Sequence, residues 1–292
     1  MLLPKITRPK VSVCIPAYNR QEYLKNAIKS VLEQTFDNFE LIISDDYSPT
    51  DLRLVVSEYK DKRIKYFRQK NNLGFIKNWN FCLNQCSGEY IKIMGDDDIL
   101  LNDCIENQLA GFLNKNVGLV YSNLLIINEN DLNVDEINNK NIYKLFDSDK
   151  IINGSNFIKK YFLGELKVGL PTAALFRRDI IKKIGLFDEN IGCPADIDMW
   201  LRIMTLFDFY YSDKIAIKCR IHTENLSKKL IQNKFSFTND LSMLYKHKAV
   251  IKTLNFFDKI FIFKKYFYLI RKAGFNFKIF NNTYNLFLFL FL

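Results

Sequence analysis

Two histidines and six cysteines are all that this 292-residue chain offers of the usual soft metal ligands. The cysteines (Cys14, Cys82, Cys86, Cys104, Cys193, Cys219) form no CxxC pair and lie in apolar or mixed settings. That pattern argues against a zinc site or a disulfide framework and for reduced, packed thiols. No run of about 18 apolar residues occurs, so no segment is expected to span a bilayer. Met1 to Lys10 carries Lys5, Arg8 and Lys10 without an apolar stretch of signal-peptide length, and the expectation is a protein that stays in the cytoplasm. Pro16-Ala17-Tyr18-Asn19, after the first β-rich run, contains no glycine, which excludes the Gly-rich turn of a dinucleotide oxidoreductase. The body also lacks a concentrated basic stripe. Of the formal charge of +10, residues 255 to 292 supply +5, through Lys259, Lys264, Lys265, Arg271, Lys272 and Lys278 against Asp258 alone. A nucleic-acid partner is therefore not expected.

What is present reads as a globular chain, 48% hydrophobic and 25% charged, long enough for one large core with an appendage. Val11 to Pro16 is a short β-rich run, and Glu22 to Gln34 repeats its apolar residues at helical spacing. Glu40 to Ser44 is a second strand, Leu52 to Tyr59 a helix, Arg63 to Gln69 a third strand. Phe75 to Cys86 is helical, with Phe75, Trp79, Cys82 and Cys86 in one stripe, and Glu89 to Met94 is a fourth strand. Such alternation predicts an α/β fold with a mostly parallel sheet covered by helices on both faces. Ligands bind such sheets outside the carboxyl ends of the strands. The polar residues that follow them, Ala17-Tyr18-Asn19-Arg20, Asp45-Asp46, Asn71-Asn72 and Asp96-Asp97-Asp98, are expected on one rim. Further on, Gly118 to Asn128, Pro171 to Arg177 and Phe209 to Ile221 read as strands, Asn130 to Asp149 as a polar connection, and Ala195 to Phe207 as a helix with an acidic start. From about Ser227 the pattern is helical.

Gly95-Asp96-Asp97-Asp98 follows an apolar strand directly. Three adjacent carboxylates repel one another, and solvent, backbone donors or a divalent cation must offset the charge. A polar turn capping the next helix is the alternative reading. A haloacid-dehalogenase-type phosphotransferase also places aspartates after a strand, but Asp96-Asp97-Asp98-Ile99 lacks the Thr or Val of DxDx[TV].

The order and spacing of these elements resemble the family 2 glycosyltransferases of the GT-A fold. The resemblance rests on Val11 to Arg20, Ser30 to Phe36, Phe39 to Asp46, Asn72-Leu73-Gly74, and Gly88 to Ile91 leading into Asp96-Asp97-Asp98. Gly185 to Asp188, Ala195 to Arg202, and Arg220-Ile221-His222 with Asn225 and Ser227 complete it. It covers about residues 10 to 228 and implies an inverting transfer from a nucleotide-diphosphate sugar, a UDP-sugar, to a saccharide or lipid-linked saccharide. By resemblance, Pro16, Ala17, Tyr18 and Asn19 line the base and ribose pocket, Asp46 accepts a hydrogen bond from the pyrimidine, and Asp96 contacts the ribose. Asn80 and Arg220 join the donor site. Asp97, with Asp98 and His222, holds a divalent metal, Mn2+ or Mg2+, and Asp196 is the general base. Two departures touch substrate contacts: Ala195 stands where the family often has an acid, and Trp79 where it often has an arginine.

The implied organisation is a catalytic domain over 1–228 and a helical, basic-aromatic extension over 229–292. Eleven of the chain's 26 phenylalanines lie in 255–292. Aromatic and cationic side chains together suit the interface of an anionic membrane. This makes peripheral attachment to the inner face of the cytoplasmic membrane the expectation, with a helical cap packed on the catalytic domain or on a second subunit as the other reading. An inactive sugar-nucleotide- or membrane-binding homologue is the alternative function, and the intact Asp97 and Asp196 argue against it.

Overall fold

The protein is described by a computed structural model over residues 9–134, 144–192, 194–222, 243–272 and 286–291. Asn225, Ser227, Cys193 and the expected domain boundary at 228 lie outside the described residues. In the first half, strands β1 (Val11–Ala17), β2 (Phe39–Asp45), β3 (Ile64–Arg68) and β4 (Tyr90–Ile93) alternate with helices α1 (Gln21–Leu32), α2 (Arg53–Val56) and α3 (Phe75–Gln85). All seven residues of β2 are buried, because the strand is covered on both faces and carries an uninterrupted apolar centre, Leu41-Ile42-Ile43. Each such side chain removed from water contributes about 1.5–3 kcal/mol, which is why the continuous runs and not the polar stretches became strands.

β5 (Ile99–Leu100), α4 (Cys104–Ala110), β6 (Val117–Ile127), β7 (Lys150–Ile152), α5 (Gly154–Leu163), β8 (Ala174–Arg177), α6 (Ile181–Ile184), α7 (Ala195–Met204) and β9 (Asp208–Arg220) follow. The strands join one sheet in the order β3-β2-β1-β4-β8-β6-β9-β5, with β7 also on β9. The α/β class stands, and the sheet is mixed, with its longer pairings parallel. β1 pairs in parallel with β2 and β4, β2 with β3, and β6 with β9, while the pairs β4–β8, β6–β8, β5–β9 and β7–β9 are antiparallel. The switch follows from how β8 begins. Pro171–Ala173 is a 3-10 turn, not the start of a strand, and it lies at the rim where β4 ends. β8 therefore leaves that rim in the opposite direction to β4. Helix α2 is likewise one turn long, shorter than the eight residues expected, and Leu54 within it stands exposed.

Register puts the functional loops together. Ala17 pairs with Asp45 and Asp45 with Arg68, so β1, β2 and β3 end level. Cys14 pairs with Ile93, which carries the residues after β4 to the same rim. β5, just past the aspartates, pairs antiparallel with the end of β9, Ile99 against Lys218, and this draws Arg220 and His222 over the triplet.

Further along the chain, α8 (Lys248–Lys252) and α9 (Phe256–Lys272) are helical. α9 buries Ile262 and Tyr266 and packs on α5, which in turn packs on α7; Lys265 Nζ reaches the Phe162 carbonyl at 3.2 Å. Over its described part the final apolar run is partly packed, with Phe287 exposed. Leu286 and Leu290 are buried and Phe289 meets Tyr245, centroids 4.7 Å apart. Five of the six cysteines are described, all buried and free; Cys14 and Cys86 sulfurs lie 3.3 Å apart.

Candidate active site

The turn after β1 needs an unusual backbone. Asn19 adopts φ 58°, a left-handed conformation that Asn tolerates better than most residues. Its N–H donates to Ser48 Oγ (2.9 Å), the Tyr18 N–H donates to Asp96 Oδ2 (3.0 Å), and the Asp46 N–H donates to the Ala17 carbonyl (2.9 Å). Pro16, Ala17, Tyr18 and Asn19 thus stand beside Asp46 and Asp96. Ala17 is buried, while the Tyr18 ring is half exposed. Asp46 accepts from the N–H groups of Leu73 (2.7 Å) and Gly74 (3.0 Å), so the loop before α3 is tied to β2. Burial raises the Asp46 pKa against those two donors.

The triplet is buried, so of the offsets open to three adjacent carboxylates solvent contributes least. Each aspartate has a different cation or donor set. Asp96 Oδ1 accepts from Arg20 Nη1 at 2.8 Å. Asp97 Oδ2 accepts from the same Nη1 at 2.9 Å and stands 2.9 Å from His222 Nε2. Asp98 Oδ1 accepts from the Arg220 N–H at 3.0 Å, and its Oδ2 accepts from the Thr172 hydroxyl. Burial, and next the charge of Asp97, push the pKa of Asp96 and of Asp98 up to about 6. Gly95 is required here by close approach: a Cβ would stand 2.6 Å from Asp97 Oδ1 and 3.0 Å from Asp98 Oδ2.

Two expected donor residues have their groups engaged within the protein. Arg220 is buried; its Nε donates to the Asp97 carbonyl (3.0 Å), Nη1 to the Asn128 carbonyl (3.0 Å), and Nη2 pairs with Asp131 (2.6 Å). Its guanidinium lies over Tyr23, 4.7 Å from the centroid, and Tyr23 also flanks the His222 ring. Arg220 thus ties the aspartate loop to the segment around Asn128 and Asp131. Asn80 is buried too: it donates to the Phe187 carbonyl (3.0 Å) and accepts from the Phe187 N–H (2.9 Å), holding the segment before α7. Trp79 beside it packs on Phe187, centroids 5.1 Å apart, the core reading of that departure. Asp98 is similarly engaged at both oxygens, while Asp97 stands against both Arg20 and His222.

Whether these residues fit a divalent ion is a matter of donor chemistry. A carboxylate oxygen and an imidazole nitrogen 2.9 Å apart suit Mn2+ or Mg2+ as a partial ligand set. Among the described residues no group of three or more His, Cys, Asp or Glu converges, so the remaining positions would fall to diphosphate oxygens and water.

Asp196 lies in the first turn of α7, whose N-cap position is Pro194, a residue with no side-chain hydrogen-bonding group. The Asp196 carboxyl is buried, and that burial raises its pKa to about 6 against the N–H groups of Ile197, Asp196 and Leu170. Leu170 holds φ 54°, a strained conformation for a non-glycine residue, and the Tyr121 hydroxyl donates to the adjacent Gly169 carbonyl at 2.6 Å. Asp198, two residues on, belongs to a separate cluster with Arg202 and Lys246. Ala195 is fully buried, in keeping with a side chain that carries no charge at that position.

Thr172, Lys92 and Leu170 were not singled out from the sequence, and Arg20 was placed on the rim without a role of its own. Lys92 is buried in β4 and donates to the Thr172 carbonyl (2.6 Å) and to Gln108 (2.9 Å), a cation beneath the triplet. A lysine inside the apolar run Tyr90 to Met94 was the available signal.

These features define a GT-A nucleotide-sugar transferase fold with an acidic rim. The profile of Glycosyl transferase family 2 matches residues 12–185, more than half of the chain, and the chain belongs to that family. It is similar to the GalNAc(5)-diNAcBac-PP-undecaprenol beta-1,3-glucosyltransferase of Campylobacter jejuni, 33% identical over 69% of this chain and 62% of that protein. The chain thus spans less than two thirds of that relative's length. Among solved structures it resembles S. aureus TarS 1-349 in complex with UDP-GlcNAc (TM-score 0.64, 17% identity, 87% of this chain and 71% of that one). It also resembles the mannosyltransferase PcManGT of Pyrobaculum calidifontis in complex with GDP-Man and Mn2+ (TM-score 0.57, 14% identity, 93% and 77%).

Proposed function

We propose that this chain is an inverting, divalent-metal-dependent glycosyltransferase. It moves a sugar from a UDP-sugar to a saccharide or lipid-linked saccharide acceptor in surface-polysaccharide synthesis. The observation that carries the reading is one rim holding Asp97 against His222, together with a buried Asp196 poised near pH 6. Tyr18, Asn19 and Asp46 flank the pocket for the base and ribose, and Asp96 the ribose. Asp97 and His222 would hold the ion, which when bound neutralises charge on the diphosphate leaving group. Asp196 takes the proton of the acceptor hydroxyl as its oxygen bonds to the anomeric carbon. The bond from that carbon to the phosphate oxygen breaks and the nucleoside diphosphate leaves. A single displacement inverts the anomeric centre. A general base is most effective with a pKa near the working pH, and burial brings Asp196 into that range.

The UDP donor is supported by the TarS complex, and the lipid-linked acceptor by the name of the Campylobacter relative. Attachment to an anionic membrane at its cytoplasmic face is supported by α9. Phe257, Phe261, Lys264 and Tyr268 recur on one exposed side of that helix, and no helix among the described residues is long and apolar enough to cross a bilayer. The test is a panel of nucleotide sugars with Mn2+ or Mg2+, read as nucleoside diphosphate release and as the anomeric configuration of the product. Metal-dependent release from a UDP-sugar with inversion is expected. A chain that neither binds nor turns over any sugar nucleotide would refute the reading.

A further inference from the structure

The cation that the structure does hold at the aspartate rim is Arg20. One guanidinium nitrogen contacts Asp96 Oδ1 at 2.8 Å and Asp97 Oδ2 at 2.9 Å. Asp97 Oδ2 also faces His222 Nε2 at 2.9 Å. A carboxylate oxygen has two lone-pair sites, and here both are directed at nitrogen donors. An ion held by Asp97 Oδ2 and His222 Nε2 therefore displaces at least one existing contact. Of the two partners Arg20 is the more exposed, its side chain 21% accessible against 4% for His222, and it stands at the N-cap of α1.

We propose that Arg20 is a positioning residue that works by exchange. Without donor it is the counter-cation of Asp96 and Asp97 and competes with a divalent ion. When metal and diphosphate enter together, the ion replaces the guanidinium on Asp97, and the freed guanidinium pairs with diphosphate oxygens. Metal binding is thereby weak alone and strengthened by nucleotide, a coupling that is reciprocal by linkage. The inference rests on the metal-dependent reading above.

The test uses the full chain and measures bound Mn2+ by electron paramagnetic resonance, with and without UDP. Arg20→Gln removes the competing charge and is expected to bind Mn2+ alone about tenfold tighter than the unaltered chain, while UDP strengthens Mn2+ binding less than it does in that chain. Arg20→Lys keeps the charge with a smaller donor head and is expected to fall between the two, which preserves the comparison if the glutamine variant does not fold. Mn2+ affinity in either folded variant that is unchanged or weaker without UDP would overturn the exchange and make Arg20 a plain staple of the carboxylates. Absence of Mn2+ binding by every form with UDP present would overturn it together with the metal reading itself, so the two failures are distinguishable.

Discussion

Asp97 and Asp196 carry the residue-scale consequences, because each is buried beside different partners. Asp97→Ala removes the carboxylate that faces His222 while β4, which ends before it, keeps its pairing with β1 and β8. Metal-dependent binding of UDP is expected to be lost in calorimetry, with binding unchanged if Asp97 has no part in the site. Asp196→Asn keeps the shape of the side chain but cannot take a proton, and transfer is expected to fall by about a hundredfold or more with donor binding near normal. The pH dependence follows from the same burial. The base acts when deprotonated, so a carboxyl raised to about 6 gives a rate that rises with pH through about 6 and then levels. The asparagine variant should lack that acidic limb. Turnover within tenfold of the unaltered chain, with the limb intact, would take Asp196 out of the proton transfer.

At the scale of elements, the site depends on how β4, the turn before β8, and the end of β9 converge. Gly95 lets the chain pass close beneath the carboxylates; Thr172, at the rim before β8, ties Asp98 to the Gly95 N–H; the Arg220 backbone closes the other side. Gly95→Ala places a methyl within 2.6 Å of Asp97 Oδ1. Such overpacking costs about 1–3 kcal/mol, and a lower melting temperature together with loss of metal-dependent donor binding is expected. A variant that melts lower yet binds UDP and Mn2+ normally would separate the loop's geometry from the site. The first four strands and their helices were legible in the sequence because their apolar runs are continuous. β8 was legible as a strand but not in direction. Its polarity is decided by where Pro171–Ala173 turns, a matter of long-range contacts that residue pattern does not encode.

For the whole molecule, the charge asymmetry of the sequence becomes a surface. α9 buries Ile262 and Tyr266 against the body and leaves Phe257 at 79% and Tyr268 at 64% exposed. Through α5 this helix is stacked on α7, whose first turn holds Asp196, so the aromatic face and Asp196 belong to one packed layer of helices. A full-length variant with Phe257→Ser, Phe261→Ser and Tyr268→Ser keeps the buried side of α9. It is expected to lose most co-sedimentation with anionic vesicles while retaining its melting temperature. Equal pelleting of both forms would assign the face to protein packing. The terminal run, which reads as the more lipid-like segment, is the less available one, since Leu286 and Leu290 are already buried.

The sequence by itself determined the α/β class, the four leading strands, the family resemblance and the clustering of polar residues at one rim. Each of these depends on local composition and order along the chain. Only the tertiary structure decided what the charged residues do. Arg220 and Asn80 share the chemistry of ligand-binding side chains, yet burial commits them to the backbone of Asp97, Asn128 and Phe187. Arg20 looks like any polar residue after a strand, yet folding brings it against two aspartates more than seventy positions away. A side chain's partners are set by which segments the core brings together, and that sum of distant contacts is not written at any one position.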